Sequence, residues 1–370
     1  MGKNNLFHKI MTGFQAARRC GRLYRVFGTD YFGALKQTLR LCREEGFTPE
    51  EVYTLDLTHP DDAPERLGQF LSKKKMMELQ CRINPMSWFS VTEDKGIFYL
   101  FAREWGLPIP QIYALYFRKS SGWASPDIIL SNKNDWLDFL ERIVPEDFVI
   151  KPCRGVYGKK IRIFKRSKGM FEEPYGGNSK AEDIYNFMAG DREYNRFVIQ
   201  ERLINHAEIV RLTGNPFLQT VRISSLVDYE NKCHLLHGSF RMILGNQVRD
   251  NFSGGSSRNL IAGVELETGR LLPATGLDLR GVLLYDIATH PASNMPITGF
   301  VLPFWKETRN MILEAAPKFL PIRTLGWDIG ITETGPVIVE ANMFWDPPNQ
   351  SRKGQALLNK MKELGMTSKN

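Results

Sequence analysis

No stretch of this chain approaches the ~18 consecutive apolar residues that a membrane-crossing helix needs, so no transmembrane segment is expected. Cysteine is scarce. Cys20, Cys42, Cys81, Cys153 and Cys233 are scattered, odd in number and include no Cys-x-x-Cys pair. This argues against a zinc site and a disulfide framework and suits a reducing, cytoplasmic setting. The opening Met-Gly-Lys-Asn-Asn-Leu-Phe-His-Lys lacks the apolar core of a secretory signal. Zinc-finger spacing and an RNA-recognition sequence are missing, so no nucleic-acid partner is expected. Internal repeats and long low-complexity tracts are missing too. What remains is a globular composition, 42% hydrophobic and 24% charged over 370 residues. That length accommodates two or three lobes.

Charge is unevenly spread. The net charge is +8, and residues 1–45 hold nine bases against three acids. Between Leu6 and Phe27, Arg18, Arg19, Arg22 and Arg25 mix with Phe7, Ile10, Met11, Phe14 and Tyr24. Two readings fit: an amphipathic helix making weak peripheral contact with an anionic membrane or a partner, or a helix packed on the body with a solvated basic face.

Residues 1–60 read as helices broken near Gly28 and Gly46. Thr48-Pro49-Glu50-Glu51 is a helix start with a capping threonine and proline in the first turn. Thr92-Glu93-Asp94-Lys95 opens another helix, with Ile97, Phe98, Leu100 and Phe101 as its apolar side, ending before Gly106. Strands then dominate: 147–151, 160–165, 197–203, 218–229 and 233–244, with a helix over 180–188. Phe304 to Leu320 is predicted helical, and a polar tail follows from Met366.

Two stretches carry chemistry. Leu325–Ile331 and Pro336–Asn342 form a hairpin in which Glu340 and Asn342 share a face while Val337, Val339 and Ala341 point the other way. A three-residue loop centred on Thr334 pairs Asp328 with Glu340, with Cβ atoms about 5 Å apart. Two carboxylates and an amide oxygen then converge, a donor set that suits Mg²⁺. A hairpin with solvated carboxylates fits the same residues.

The second stretch is Lys151-Pro-Cys-Arg-Gly-Val-Tyr-Gly-Lys-Lys160. Gly155 and Gly158 can take positive φ and turn backbone N–H groups toward an anion, and Lys151 adds a point charge. A strand follows rather than a helix, which excludes a Walker A loop. An ordinary hairpin with solvated lysines is the competing reading. On Thr220-Val-Arg-Ile-Ser224, Arg222 shares a face with Thr220 and Ser224. It suits gripping a phosphate or acyl-phosphate, or an ion pair with Asp328 or Glu340. Arg241 is a weaker candidate of the same kind.

In their order, Asp94-Lys95, Lys151 with its glycine loop, Gln200-Glu201-Arg202-Leu203, Glu208, Arg222, Asp328 and Glu340-Ala-Asn342 resemble the ATP-grasp superfamily. Thr220-Val-Arg222, Asp250-Asn-Phe-Ser-Gly-Gly255, Glu267-Thr-Gly-Arg270, His290-Pro291, Gly299 with Pro303, Gly326-Trp-Asp328 and Asn349-Gln350 make the sugar-transfer-associated ATP-grasp family the closer match. The resemblance covers residues 80–352 approximately.

It implies an α+β fold in which two antiparallel-sheet lobes enclose ATP, after a mostly helical N-terminal region (1–84). The ATP-grasp domain would span 85–352, with a mobile lid about 126–194 and a C-terminal helix or tail at 353–370. Lys95 and Lys151 would contact the phosphates, Gln200 to Leu203 would read adenine, and Glu208 would bind ribose. Asp328, Glu340 and Asn342 would hold Mg²⁺. One departure is His206, where the superfamily often carries a glycine.

The expected reaction is ATP-dependent ligation of a carboxylate, small-molecule or glycan, to an amine through an acyl-phosphate, with Arg222 and Lys151 as catalytic groups. The family association suggests cell-surface polysaccharide synthesis and a glycosyltransferase partner. The alternatives are a kinase acting on a sugar or cyclitol hydroxyl, with Asp250 or His290 as base, and a nucleotide-binding regulator.

Overall fold

The computed structural model describes residues 2–59, 64–125, 127–155, 158–174, 176–245, 248, 250–252, 257–277 and 284–366. Val156 and Tyr157 of the phosphate loop, Pro126 at the expected lid start, Ser253 to Gly255 of the glycine-rich motif and the tail beyond Met366 lie outside these residues. So does the side chain of Gln350.

The N-terminal helices Gly2–Phe27, Tyr31–Glu44 and Pro49–Thr54 break where expected, at Gly28 and Gly46, both with positive φ. Thr48 and Glu51 form a reciprocal capping box, which satisfies two amides that the first helical turn leaves unpaired. The second carboxylate oxygen of Glu51 accepts from the Lys73 amide at 2.9 Å, tying this region to helix Lys73–Ile83. Residues 71–84 belong with the core that follows. Asn349 clamps Leu71 with two backbone hydrogen bonds of 3.0 and 2.7 Å. Asn84 Oδ1 accepts from the amides of Arg323 and Thr324. Helix Gly354–Glu363 packs against the same helix, and Met366 is buried there. The expected division at residue 84 thus cuts through a packed layer.

Helix Lys95–Glu104 starts one turn later than Thr92, because Asp94 is its cap and accepts from the Gly96 amide at 3.0 Å. Its buried side is Phe98, Tyr99 and Ala102, while Ile97 and Leu100 are each 39% exposed, a correction to the expected face. Helix Trp305–Ala315 passes into a 3-10 turn at Ala316–Phe319, where Pro317 has no amide to continue the ladder.

Fifteen strands form two antiparallel sheets among the described residues. The first sheet holds β1 (Ile112–Phe117), β2 (Gly122–Ala124), β3 (Ile128–Leu130), β4 (Asp147–Pro152), β5 (Arg162–Ser167), β6 (Met170–Glu172), β7 (Asn178–Ser179) and β8 (Arg196–Glu201). Its order is β3-β2-β1-β8-β4-β5-β6-β7. Because β1 pairs with β8, this lobe runs from 112 to 201, wider than the expected 126–194.

The second sheet holds β9 (Thr220–Val227), β10 (Cys233–Met242), β11 (Leu260–Val264), β12 (Leu271–Leu277), β13 (Leu284–Ile287), β14 (Thr324–Thr332) and β15 (Gly335–Asn342). Its order is β13-β12-β11-β10-β9-β14-β15. β14 lies between β9 and β15 and is buried along its whole length. Its Trp327 packs edge-to-face on Phe319, with centroids 5.2 Å apart, and donates its indole N–H to Ser225 Oγ at 2.8 Å. That satisfied polar tip lets a large aromatic sit in the core. The α+β architecture is as expected.

Candidate active site

The hairpin reaches its register by an unexpected route. Thr332 pairs with Gly335, so the turn is the two residues Glu333 and Thr334, not three. This register continues to Ile329, opposite Ile338. A β-bulge at Val339 then shifts the pairing by one, and Asp328 faces Glu340 as expected. The extra residue reverses the side-chain alternation locally. Ile338 and Ala341 are therefore the buried pair, while Val339 turns to the cleft and Val337 is half-buried, correcting the expected apolar face. Tyr99 Oη donates to the Val339 carbonyl at 2.7 Å. A bulge leaves a ladder acceptor unpaired, and this hydroxyl supplies its donor.

Asp328, 4% exposed, is gripped from β9. Arg222 pairs with it across the strands, donating Nε to Oδ1 at 2.6 Å and a second N–H to Oδ2. Arg241 on β10 donates to the same Oδ2 at 3.3 Å. This is the ion pair weighed from sequence, and it supplies the counter-charge missing from the hairpin itself. Arg222 is pushed toward the charged form. Burial opposes the charge, but Asp328 outweighs it.

Glu340 lies 3.1 Å from Lys95 Nζ. Burial would raise its pKa, but Lys95, the Asp328 side chain, Lys151 and Arg222 hold it well below the usual carboxylate range. Lys95 is in turn raised, as Glu340 outweighs burial. Asn342 Nδ2 donates to Glu340 Oε1 at 3.4 Å.

Lys151 stands differently. At the end of β4 and 5% exposed, it donates to Tyr99 Oη at 2.8 Å and has no carboxylate partner among the described residues. Its ammonium also sits 5.3 Å from the Tyr99 ring centroid. Burial and the nearby Lys95 lower its pKa to about 7. An anion in the cleft would supply the missing counter-charge. Tyr99, which the sequence reading did not single out, thus joins the bulge to the lysine. Its only sequence signal was its place on the buried side of the helix following Asp94.

These groups line a cleft of about 370 Å³ between the two sheets. The other lining residues include Gly155, Gly158, Gln200, Glu201, Leu203 and Asp250. Gly158 has φ +62, but Gly155 does not take positive φ; the left-handed turn is completed by Lys160 at φ +60. The Gly155 carbonyl instead receives Lys95 Nζ at 3.5 Å. Gln200, at the strand end expected to meet adenine, keeps a buried Oε1 without a hydrogen-bond partner among the described residues. Asp250 accepts from the Thr220 amide at 2.7 Å and from its hydroxyl, and burial raises its pKa despite Arg241.

Two expected residues lie elsewhere. Glu208, on helix Ala207–Thr213, is half-buried, pairs with Arg211 one turn on, and does not line the cleft. The reason is local. His206, where a glycine was expected, caps this helix by accepting from the Glu208 amide at 3.2 Å, which turns Glu208 outward. His290 is buried, takes the amide of Ala292 on Nδ1 and does not line the cleft.

The site fits a Mg-bound nucleotide. Its acidic face offers the oxygens of Asp328, Glu340 and Asn342, and Mg²⁺ takes one or two carboxylates together with substrate phosphate oxygens. Among the described residues no three carboxylate, histidine or cysteine side chains cluster as a self-sufficient metal cage, so phosphate oxygens would complete the ligand set. When bound, Mg²⁺ supplies neutralisation of phosphate charge. Lys151 faces the same space from β4 of the first sheet, and Lys95 from the start of helix Lys95–Glu104.

This cleft between two antiparallel sheets, with lysines on one side and acidic groups on the other, defines an ATP-grasp enzyme, with ATP and Mg²⁺ as its cofactors. The profile of sugar-transfer associated ATP-grasp proteins matches residues 74–365, and the chain belongs to that family. The match begins within helix Lys73–Ile83 and ends after the C-terminal helix, following the packed layer described above. No curated protein matches the chain.

Similar solved structures include D-cycloserine synthetase DcsG, at 14% identity over 75% of this chain and 73% of that chain, TM-score 0.39. The D-alanine-D-alanine ligase of Helicobacter pylori is 10% identical over 75% and 62%, TM-score 0.39. The biotin carboxylase of Campylobacter jejuni, in a β,γ-ATP complex, is 8% identical over 76% and 47%, TM-score 0.44.

Proposed function

We propose that this protein is an ATP-dependent carboxylate–amine ligase working through an acyl-phosphate. A substrate carboxylate oxygen bonds to the γ-phosphorus and ADP leaves. The amine nitrogen then bonds to the acyl carbon, the carbon–oxygen bond to phosphate breaks with its electron pair, and the amine loses a proton. No enzyme nucleophile is required. The reading is carried by the Arg222 fork beside the acidic face, opposite Lys151, which has no carboxylate partner among the described residues. Such preorganised cations hold a carboxylate and a transferring phosphoryl group together against their mutual repulsion. Hydroxylamine in place of the amine tests it. With Mg-ATP and a carboxylate found by screening nucleotide-sugar uronates for ADP release, a hydroxamate, ADP and free phosphate are expected. A phosphate monoester without free phosphate contradicts it.

Asp250 inside the cleft keeps a kinase as the second reading, since a hydroxyl acceptor requires a base there and His290 is not in reach of it.

The family's association with sugar transfer supports a place in building or decorating a cell-surface polysaccharide beside a glycosyltransferase, on the cytoplasmic side. No helix among the described residues is long and apolar enough to cross a membrane. Helix Gly2–Phe27 exposes Ile10, Met11 and Phe14 and, further along, Arg18, Arg22 and Arg25. That face supports peripheral contact with anionic lipid.

A further inference from the structure

The Arg222 row continues across the sheet. Glu340 on β15 faces Asp328 on β14, Asp328 faces Arg222 on β9, Arg222 faces Ser239 on β10, and Ser239 faces Gly263 on β11. A neighbouring row runs Arg241, Ile261, Thr275 and Asp286 across β10 to β13. Residues that pair this way share one face of the sheet. Beyond Arg222 that face is open, and a second cavity of about 190 Å³ lies on it, lined by His237, Ser239, Thr275, Asp286 and Arg352 among others. Arg352 comes from the end of the turn Asn349–Ser351, which lies against β11.

These five side chains are not spent on the fold. Ser239 and Thr275 are buried, yet none of the five makes a side-chain hydrogen bond or ion pair among the described residues. The Ser239 and Thr275 hydroxyls line the cavity, where a ligand or water can satisfy them. Asp286 and Arg352 bring opposite charges to one small pocket without pairing with each other.

The position is as informative as the lining. Ser239 is one strand from Arg222, and Asp286 is three strands from Arg241, a span of roughly 14 Å at the usual ~4.8 Å between strands. A molecule gripped at the Asp286 end and extended along the row toward Arg241 points its other end at the Arg222 cluster. The volume equals that of about six waters, room for a compact molecule of about ten non-hydrogen atoms.

We propose that this cavity binds the amine substrate as a diamino acid of the lysine or ornithine type, its α-ammonium on Asp286 and its α-carboxylate on Arg352, with the side-chain amine directed toward Arg222. This rests on the ligase reading for its chemistry but is tested by binding alone, without turnover, so the two can fail separately.

Saturation-transfer NMR on the full chain uses four probes: L-lysine, L-ornithine, cadaverine, which lacks the carboxylate, and 6-aminohexanoate, which lacks the α-amine. Lysine or ornithine should bind at least about tenfold more tightly than either truncated probe. Asp286→Asn should weaken lysine at least about fivefold and leave 6-aminohexanoate unchanged. Arg352→Asn should weaken lysine and leave cadaverine unchanged; asparagine also tolerates the left-handed backbone there, φ +55. Absence of binding by both diamino acids, equal binding of all four probes, or lysine binding indifferent to both substitutions overturns the assignment. So does a nucleotide-sugar uronate that displaces lysine from wild type and is itself weakened by Arg352→Asn.

Discussion

Arg222 and Asp328 face each other across paired strands and are joined by two hydrogen bonds from one guanidinium edge to one carboxylate. The pair holds the centre of the acidic face in a fixed orientation. It also separates two roles that a simple truncation would mix. Arg222→Ala strips the partner from a buried carboxylate, which costs about 3–5 kcal/mol. Arg222→Lys keeps the charge and removes only the fork. We expect the lysine variant to fold, to bind ATP within a few-fold of wild type, and to lose turnover on the order of 10²–10³-fold. Nucleotide affinity by calorimetry and ADP release measure the two separately; equal losses in both would place Arg222 in nucleotide binding alone.

Tyr99→Phe removes one oxygen and two contacts, the donor to the Val339 bulge and the acceptor from Lys151. Leaving the bulge carbonyl unpaired is expected to cost about 1–3 kcal/mol in urea unfolding. ADP release should fall with it, because the bulge sets the place of Glu340. Unchanged stability would mean the bulge does not depend on this hydroxyl.

Lys151 is expected to make ATP binding depend on pH. Its pKa near 7 in the free cleft leaves it mostly neutral at pH 8, and a bound polyphosphate favours the ammonium. Binding at pH 8 should therefore take up on the order of one proton. The uptake should fade below pH 6, where Lys151 already carries its charge, and affinity should fall as pH rises from 7 to 9. Calorimetry in two buffers of different ionisation enthalpy reads the uptake directly. Lys151→Met should abolish it, and a wild-type value of zero at pH 8 would contradict the assignment.

Glu208→Ala should leave ATP affinity and turnover within about twofold of wild type, since it removes one exposed pair with Arg211. A large loss of nucleotide affinity would return Glu208 to the ribose role suggested by its position in the chain.

Much of this architecture was legible in the residues. The runs that became β4, β5, β8, β9, β10, β14 and β15 were legible, whereas β1 to β3, β6, β7 and β11 to β13 were not, and Asp328 opposite Glu340 follows from a three-residue loop centred on Thr334. The bulge at Val339 was not legible, because Val337, Val339 and Ala341 alternate as regularly as an unbroken strand. A two-residue turn plus one extra residue gives the same register as a three-residue loop. Glu208 was misplaced because spacing in the chain does not report which way a capped helix turns. The burial of Lys151 and its link to Tyr99 depend on how helix Lys95–Glu104 docks on the end of β4, a long-range contact that local pattern does not encode. The rows from Arg222 to Gly263 and from Arg241 to Asp286 depend likewise on the registers of β9 to β13.

Oxygen transfer tests the central claim most directly. A carboxylate substrate labelled with ¹⁸O on both oxygens is incubated with Mg-ATP and an amine, and the released phosphate is weighed by mass spectrometry. Activation through an acyl-phosphate carries one labelled oxygen from each carboxylate into phosphate, in step with ADP. Phosphate that forms without label, or a labelled carboxylate recovered intact while a phosphate monoester accumulates, contradicts it.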